Sequence, residues 1–219
     1  MRHQVHGKDS KEAPHHGAQR QELNELLVTL QEQAKLQFEP ENEKHEQLLR
    51  SLWNTAFPGE EFELKSPKWT DIGFQGRDPT TDLRGAGLMG LRHLQLYFCE
   101  GMLPHDCPPG FPLALASINV TGFLQSYFHL NLVMVPGLES KSTQPTLESF
   151  LSACNSQPAT LQVLHDRLLL HLAGEWRRLL LRKPLATLLD FSPLLQSTFA
   201  HAHGVLSRAR APWDMLDVA

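Results

Sequence analysis

Arg84 places a delocalised positive charge directly before a glycine, in the run Asp82-Leu83-Arg84-Gly85-Ala86-Gly87. A guanidinium next to a residue without a side chain is a group that another molecule's anion can reach. It stays ionised, and its planar fork of N–H donors matches phosphate oxygens. The same stretch holds Gly85, Gly87 and Gly90, which satisfies G-x-G-x-x-G, the pattern of dinucleotide-binding turns. That chemistry needs a buried strand before the glycines and β-α-β alternation around them. "GRDPTTD" precedes them instead, with a proline and two aspartates, so as a cofactor signal the pattern is accidental. No G-x-x-x-x-G-K-[ST] occurs, so phosphate binding of the P-loop kind is not expected. No cofactor and no nucleotide chemistry of the chain's own are expected.

Two readings of Arg84 remain. The spacing predicts a helix that begins near Thr81 or Asp82, both good N-cap types, and buries Leu83, Gly87, Gly90 or Leu91, Leu94 and Phe98. Gly101 is its expected C′ residue. Arg84 then falls in the first turn, where the macrodipole disfavours a cation by up to about 1 kcal/mol. An ion pair with Asp71, Asp78 or Asp82 would remove that anomaly and make the arginine structural. Otherwise the arginine is presented to an anion on a partner. Gly87 and Gly90, each costing about 1 kcal/mol relative to alanine inside a helix, imply close helix packing.

Other constellations carry less chemistry. His15-His16 and His201-x-His203 have no third ligand at metal spacing, so no metal site is expected. No nucleophile-elbow pattern is present to start Ser-His-Asp chemistry. Arg177, Arg178, Arg182 and Lys183 form a basic patch, by default a solvated face and otherwise a contact for acidic lipid or an acidic partner. Cys99, Cys107 and Cys154 are odd in number and form no C-x-x-C pair, which suits reduced thiols. Asn119-Val120-Thr121 matches the glycosylation pattern, but the polar N-terminus has no apolar segment of a signal peptide.

The elements that must position Arg84 read as helices. Residues 1–20 are polar and punctuated by Gly and Pro, and are expected to be disordered. Leu23, Leu26, Leu27, Leu30 and Ala34 then form one apolar stripe, an amphipathic helix over 21–40. Leu48, Leu49, Leu52, Trp53, Ala56 and Phe57 repeat the pattern up to Pro58-Gly59. Residues 58–82 are broken by Pro58, Gly59, Pro67, Gly73, Gly76 and Pro79 yet carry Phe62, Leu64, Trp69, Ile72 and Phe74, so they read as an ordered loop laid on the helices. Residues 109–138 contain no Asp, Glu, Lys or Arg, but recurring polar residues make a buried central helix the reading, not a membrane span. Leu161, Leu164, Leu168, Leu172, Trp176 and Leu179 mark a long helix ending at Arg182-Lys183-Pro184, and Ser192-Pro193 opens a last helix through Leu195, Phe199, Ala202 and Leu206. The net charge of -4 over 219 residues argues against a nucleic-acid binder. The fold class is all-α, one helical domain with a disordered N-terminal tail.

"WTDIGFQGRDPTTDLRGAGLMGLRHLQLYF", residues 69–98, resembles the signature of ELMO-domain proteins. The pattern falls on Trp69, Gly73, Phe74, Gln75, Pro79, Thr81, Asp82, Arg84, Gly85 and Gly87 at fixed spacing, and Leu91 and Leu94 continue it. "FPLALASINVTGFLQSYF" is similar to a second family segment, and "LLLHLAGEW" to a third. Tyr97 departs from the family's usual Phe at the end of the pattern. The resemblance implies an ELMO domain over 41–210, tails at 1–20 and 211–219, and kinship with the short members of the family. It further implies a GTPase-activating protein for GTP-bound small GTPases of the ADP-ribosylation-factor and factor-like group, with Arg84 as the catalytic arginine supplied in trans. Gly85 would admit the partner's close approach, Thr81 and Asp82 would hold the arginine's turn, and Trp69 and Phe74 would anchor the loop. Gln75 is read as structural first and as a group that could orient water second. The rival reading is a non-catalytic helical adaptor for a small GTPase or cytoskeletal partner. Either reading places the chain in the cytoplasm, reaching cytoskeleton or membrane through its partners.

Overall fold

The computed structural model describes residues 13–100, 107–133, 135 and 141–208, and among these it is all-α, with no strand. Seven α-helices follow one another among the described residues: α1 (Ala13–Lys35), α2 (Glu43–Ala56), α3 (Gly87–Cys99), α4 (Leu113–Tyr127), α5 (Gln144–Ser156), α6 (Thr160–Arg182) and α7 (Leu188–Leu206). Two short 3₁₀ turns, Pro67–Ile72 and Pro79–Thr81, lie in the long connection between α2 and α3.

The uncharged segment forms the centre. Thirteen residues of α4 are buried, on every side of the helix, as α3, α6 and α7 pack around it. Several of its polar side chains find partners inside the core, while Gln125 Oε1 and the Tyr127 hydroxyl are buried without a hydrogen bond among the described residues. The Thr121 hydroxyl donates to the Ser117 carbonyl, so Nδ1–H of His93 is the donor to Thr121 Oγ1 at 2.9 Å. Asn119 Nδ2 donates to the Leu115 carbonyl one turn back, and Asn119 and Thr121 are both built into the helix rather than displayed as a glycosylation loop.

Four boundaries differ from the sequence expectation. First, α1 reaches back to Ala13, so the tail expected over 1–20 is helical from residue 13; Pro14 falls in the first turn, where a missing N–H costs no hydrogen bond. Second, α5 occupies a Ser/Pro-rich stretch that showed no helical signal of its own. Thr143 caps it, Pro145 sits in its first turn, and Leu147, Phe150, Leu151 and Cys154 are its buried face. Third, α7 begins at Leu188, not at Ser192-Pro193. A capping box between Thr187 and Asp190 starts it, with Lys183 Nζ 2.6 Å from Asp190 Oδ1, and Pro193 is carried inside the helix. Fourth, α3 begins at Gly87, five to six residues after the expected cap. Gly101, its expected C′ residue, and the C-terminal tail at 211–219 lie outside the described residues.

Gly87 fixes that fourth boundary. Its φ is +62°, and a Cβ there would sit 2.3 Å from the Leu36 carbonyl oxygen. The missing side chain lets the end of α1 close onto α3, where Leu88 N–H donates to Leu36 O at 2.8 Å. Gly85 is different: it is exposed, and a Cβ there would meet nothing within 4 Å. Urea denaturation is expected to separate the two. Gly87→Ala should cost about 2 kcal/mol or more, while Gly85→Ala should stay within about 0.5 kcal/mol of wild type.

Burial, reinforced by the neighbouring His165 ring at 4.8 Å, holds His93 well below the usual imidazole value of 6.5. The folded state therefore keeps this ring neutral, while the unfolded chain takes up a proton as pH falls through about 6.5. Stability should be full above that value and decline below it. Half-buried His171, lowered mainly by desolvation, acts in the same direction. Denaturant melts of wild type and His93→Leu between pH 7.5 and 5 are expected to show the variant losing up to about 1.4 kcal/mol per pH unit less than wild type.

Candidate functional site

The connection between α2 and α3 is pinned by aromatic rings. Trp69 is buried, its indole N–H donates to the Glu63 carbonyl at 3.1 Å, and its ring packs edge-on against Trp53 and Phe74 at 4.9 and 5.4 Å. Phe62 completes the group, with the Arg50 guanidinium 4.2 Å above its ring. Gly73, at φ +91°, is pressed onto the start of α4: a Cβ would lie 2.3 Å from Leu113 N, and its carbonyl accepts the Leu115 N–H at 3.1 Å. The loop thus crosses the buried helix with no room for a side chain at the crossing.

From that crossing the chain runs outward to the arginine. Phe74 is buried and Gln75 exposed, and the Gln75 backbone N–H donates to Asp82 Oδ2 at 2.8 Å. Pro79 is buried at the start of the second 3₁₀ turn, which Asp78 caps through the Thr80 N–H. The exposed Thr81 donates its hydroxyl to the Asp78 carbonyl, and its own carbonyl accepts Arg84 Nε at 3.0 Å. Arg84 therefore sits in a turn three residues before α3, not in that helix's first turn, and the macrodipole penalty expected for it does not arise. Thr81 and Asp82 cap no helix; the α3 N-cap is Ala86, without a side-chain hydrogen bond.

No carboxylate neutralises Arg84 among the described residues. Burial alone would raise Asp78, but the Thr80 hydroxyl and amide and the Lys65 ammonium, 3.0 Å away, hold it below the usual carboxylate value. Burial raises Asp82, against the Gln75 amide, the Thr81 hydroxyl and the charge of Arg84, which each lower it. Asp71 is exposed and forms no ion pair with Arg84. The arginine is exposed and hydrogen-bonded through Nε, and its two terminal amino groups have no hydrogen-bond partner among the described residues.

Beside it lies a groove of about 210 Å³ lined by Gln75, Thr81, Asp82 and Gly85 from the loop and by Ile118 and Asn119 from α4. Of the motif residues, Gln75, Thr81, Asp82 and Gly85 line this groove and Arg84 is exposed between the last two, whereas Trp69, Gly73, Phe74, Pro79 and Gly87 are supports.

Two features were not singled out from the sequence. Gln125 of α4 is fully buried, and its amide nitrogen donates to Ala86 O at 3.1 Å and approaches Ala34 O at 3.5 Å. It ties the arginine turn and α1 to the central helix; the available signal was an amide in an uncharged run that had to find partners. Ser117, His165 and Asp166 form an aligned chain, with Ser117 Oγ 2.9 Å from His165 Nε2 and His165 Nδ1 2.7 Å from Asp166 Oδ1. Ser117 and His165 are 0% exposed, so this chain satisfies core polar groups and reaches no substrate. No group of three or more metal-ligating side chains occurs among the described residues; His201 stacks on His171.

Gln125→Ala should leave the Ala34 and Ala86 carbonyls without that donor, lowering stability by about 1 to 3 kcal/mol. Hydrogen exchange is expected to accelerate at Gly87 and Leu88 first; unchanged protection there would show that the amide does not hold the turn.

Comparison with known proteins covers this same region. Residues 28–195 match the model of the ELMO/CED-12 family. ELMO domain-containing protein C of Dictyostelium discoideum is 35% identical over 122 residues, covering 53% of this chain and 18% of that protein. ELMO domain-containing protein 2 of Homo sapiens is 34% identical over 143 residues, covering 58% and 46%. ELMO domain-containing protein 1 of Mus musculus is 41% identical over 76 residues, covering 34% and 23%. The matched segments span less than half the length of these relatives. No solved structure matches.

Proposed function

The chain belongs to the ELMO/CED-12 family, and we propose that it is a GTPase-activating protein that supplies Arg84 in trans to a GTP-bound small GTPase of the ADP-ribosylation-factor or factor-like group. The observation that carries this reading is the state of Arg84: exposed, in an ion pair with no carboxylate among the described residues, and hydrogen-bonded at Nε to the Thr81 carbonyl.

Phosphoryl transfer from GTP to water spreads charge over the γ-phosphoryl oxygens in the transition state, and a guanidinium placed there lowers the barrier. Closing a partner over Arg84 excludes water, which strengthens that interaction. The Thr81 carbonyl accepts from Nε alone, which limits the side chain's freedom and leaves the fork of terminal donors for two phosphate oxygens. Gly85 gives the partner's surface access to the backbone beside the arginine, and the open space at its missing Cβ is where that surface would lie. Gln75 has its backbone N–H fixed by Asp82, which makes it an edge of the contact face. The partner holds the nucleotide and positions the attacking water.

Single-turnover GTP hydrolysis by factor-like GTPases tests this. Arg84→Lys is expected to reduce the stimulated rate by about 10³-fold, since an ammonium cannot replace the fork, while GTPase binding changes only a few-fold. Gly85→Val is expected to keep the fold and weaken stimulation through poorer docking. Equal stimulation by wild type and Arg84→Lys would overturn the arginine's role, and GTPase binding without stimulation by either would leave an adaptor.

A further inference from the structure

We propose that the corner between α6 and α7 is a membrane-docking tip that seats leucine side chains in an anionic bilayer surface. This is a second function of the chain, independent of the arginine turn. Nine large hydrophobic side chains are exposed among the described residues, and four of them fall within the nine residues from 181 to 189. Leu181 is 82% exposed, Leu185 86%, Leu189 88% and Leu188 57%. Leu181 lies in the last turn of α6, Leu185 in the connecting turn, and Leu188 and Leu189 in the first turn of α7. Apolar groups concentrated in this way on a water-facing corner mark an interaction site.

The charges beside them indicate what the site meets. Arg177, Arg178, Arg182 and Lys183 are all exposed, and Glu175 and Asp190 are the only carboxylates from residue 175 to 190. Arg178 pairs with Glu175 and Lys183 with Asp190, while Arg177 and Arg182 have no partner among the described residues. Unpaired arginines flanking protruding leucines match anionic headgroups lying over an acyl boundary. Arginine stems can lie along apolar surface while their charged ends stay at headgroup level.

Shape favours a bilayer over a protein. Three leucines more than 80% exposed, on both sides of a turn and at its tip, form a knob, and a fluid interface closes around a knob without a preformed complement. No described helix is long and apolar enough to cross a membrane, so the contact is one of lying on the surface. Leu188 also lines a cleft of about 520 Å³ that extends to Gly73, Phe74 and Gln75, and Gln75 edges the groove beside Gly85. The tip and the arginine turn are thus joined by one continuous stretch of surface.

Co-sedimentation of the full chain with vesicles tests the proposal, using phosphatidylcholine alone and equal parts of phosphatidylcholine and phosphatidylserine. Wild type is expected to bind the mixed vesicles, less so in high salt, and to bind phosphatidylcholine weakly. Leu185→Gln with Leu189→Gln should weaken binding at least on the order of tenfold. Arg177→Gln with Arg182→Gln should do so by a similar factor and flatten the salt dependence. Thermal melts of both variants should match wild type, since the substituted side chains are exposed. Arg84→Lys should bind vesicles as wild type does, which separates this test from that of GTP hydrolysis. Absence of wild-type binding, equal binding by the tip variants, or a dimer in sedimentation velocity that the leucine substitutions dissolve would each overturn it.

Discussion

The hydrogen bond from Leu88 N–H to the Leu36 carbonyl, 2.8 Å long and made directly over Gly87, is the contact on which the arginine turn depends. It joins the end of the first helix to the start of the third, and no residue with a side chain could occupy position 87 while it forms. Gln125 reinforces the junction from below, reaching Ala86 and Ala34 from the centre of the buried helix. The turn bearing Arg84 is therefore set from two directions by backbone carbonyls. A turn fixed in this way can present a charged side chain to solvent without relying on an ion pair to hold it.

The glycines of the motif divide by the space around them. Gly73 and Gly87 have positive φ and backbone within 2.3 Å of a notional Cβ, so they serve the fold. Gly85 has neither constraint, and nothing inside the chain requires glycine there. The aromatic residues divide in the same manner: Trp69 and Phe74 are spent on burial, and Gln75 next to them stays outside. One contiguous motif thus alternates between groups that fasten the loop and groups left at its surface. This is how a long irregular segment can be both rigid and available, since buried anchors offset the entropy of ordering it.

Helices with a clean apolar stripe were legible in the sequence. Leu48 to Phe57 and Leu161 to Leu179 gave two of them closely, because 3.6-residue spacing is a local property that survives whatever packs against it. The uncharged run gave the central helix, because charges are excluded from a helix buried on all sides. Boundaries set by contacts across the chain were not legible. The third helix starts at Gly87 because of Leu36, fifty-one residues earlier in the chain, and the last begins at Leu188 because Thr187 and Asp190 close a capping box that Ser192-Pro193 masked. The fifth helix was hidden by its serines and prolines and exists through the burial of Phe150 and Leu151.

By itself the sequence determined that the chain is helical, that Arg84 stands directly before a run of glycines, and that its motif resembles one family. These follow from residue types and their spacing, which act locally. Whether Arg84 was locked in an ion pair or left open was decided only by tertiary structure. Three aspartates lay near enough in sequence to take it, and which carboxylate meets which cation depends on how the loop is folded onto the fourth helix. Lys65 took Asp78, the Gln75 amide took Asp82, and Asp71 stayed in solvent, so the guanidinium remained unclaimed by any of them.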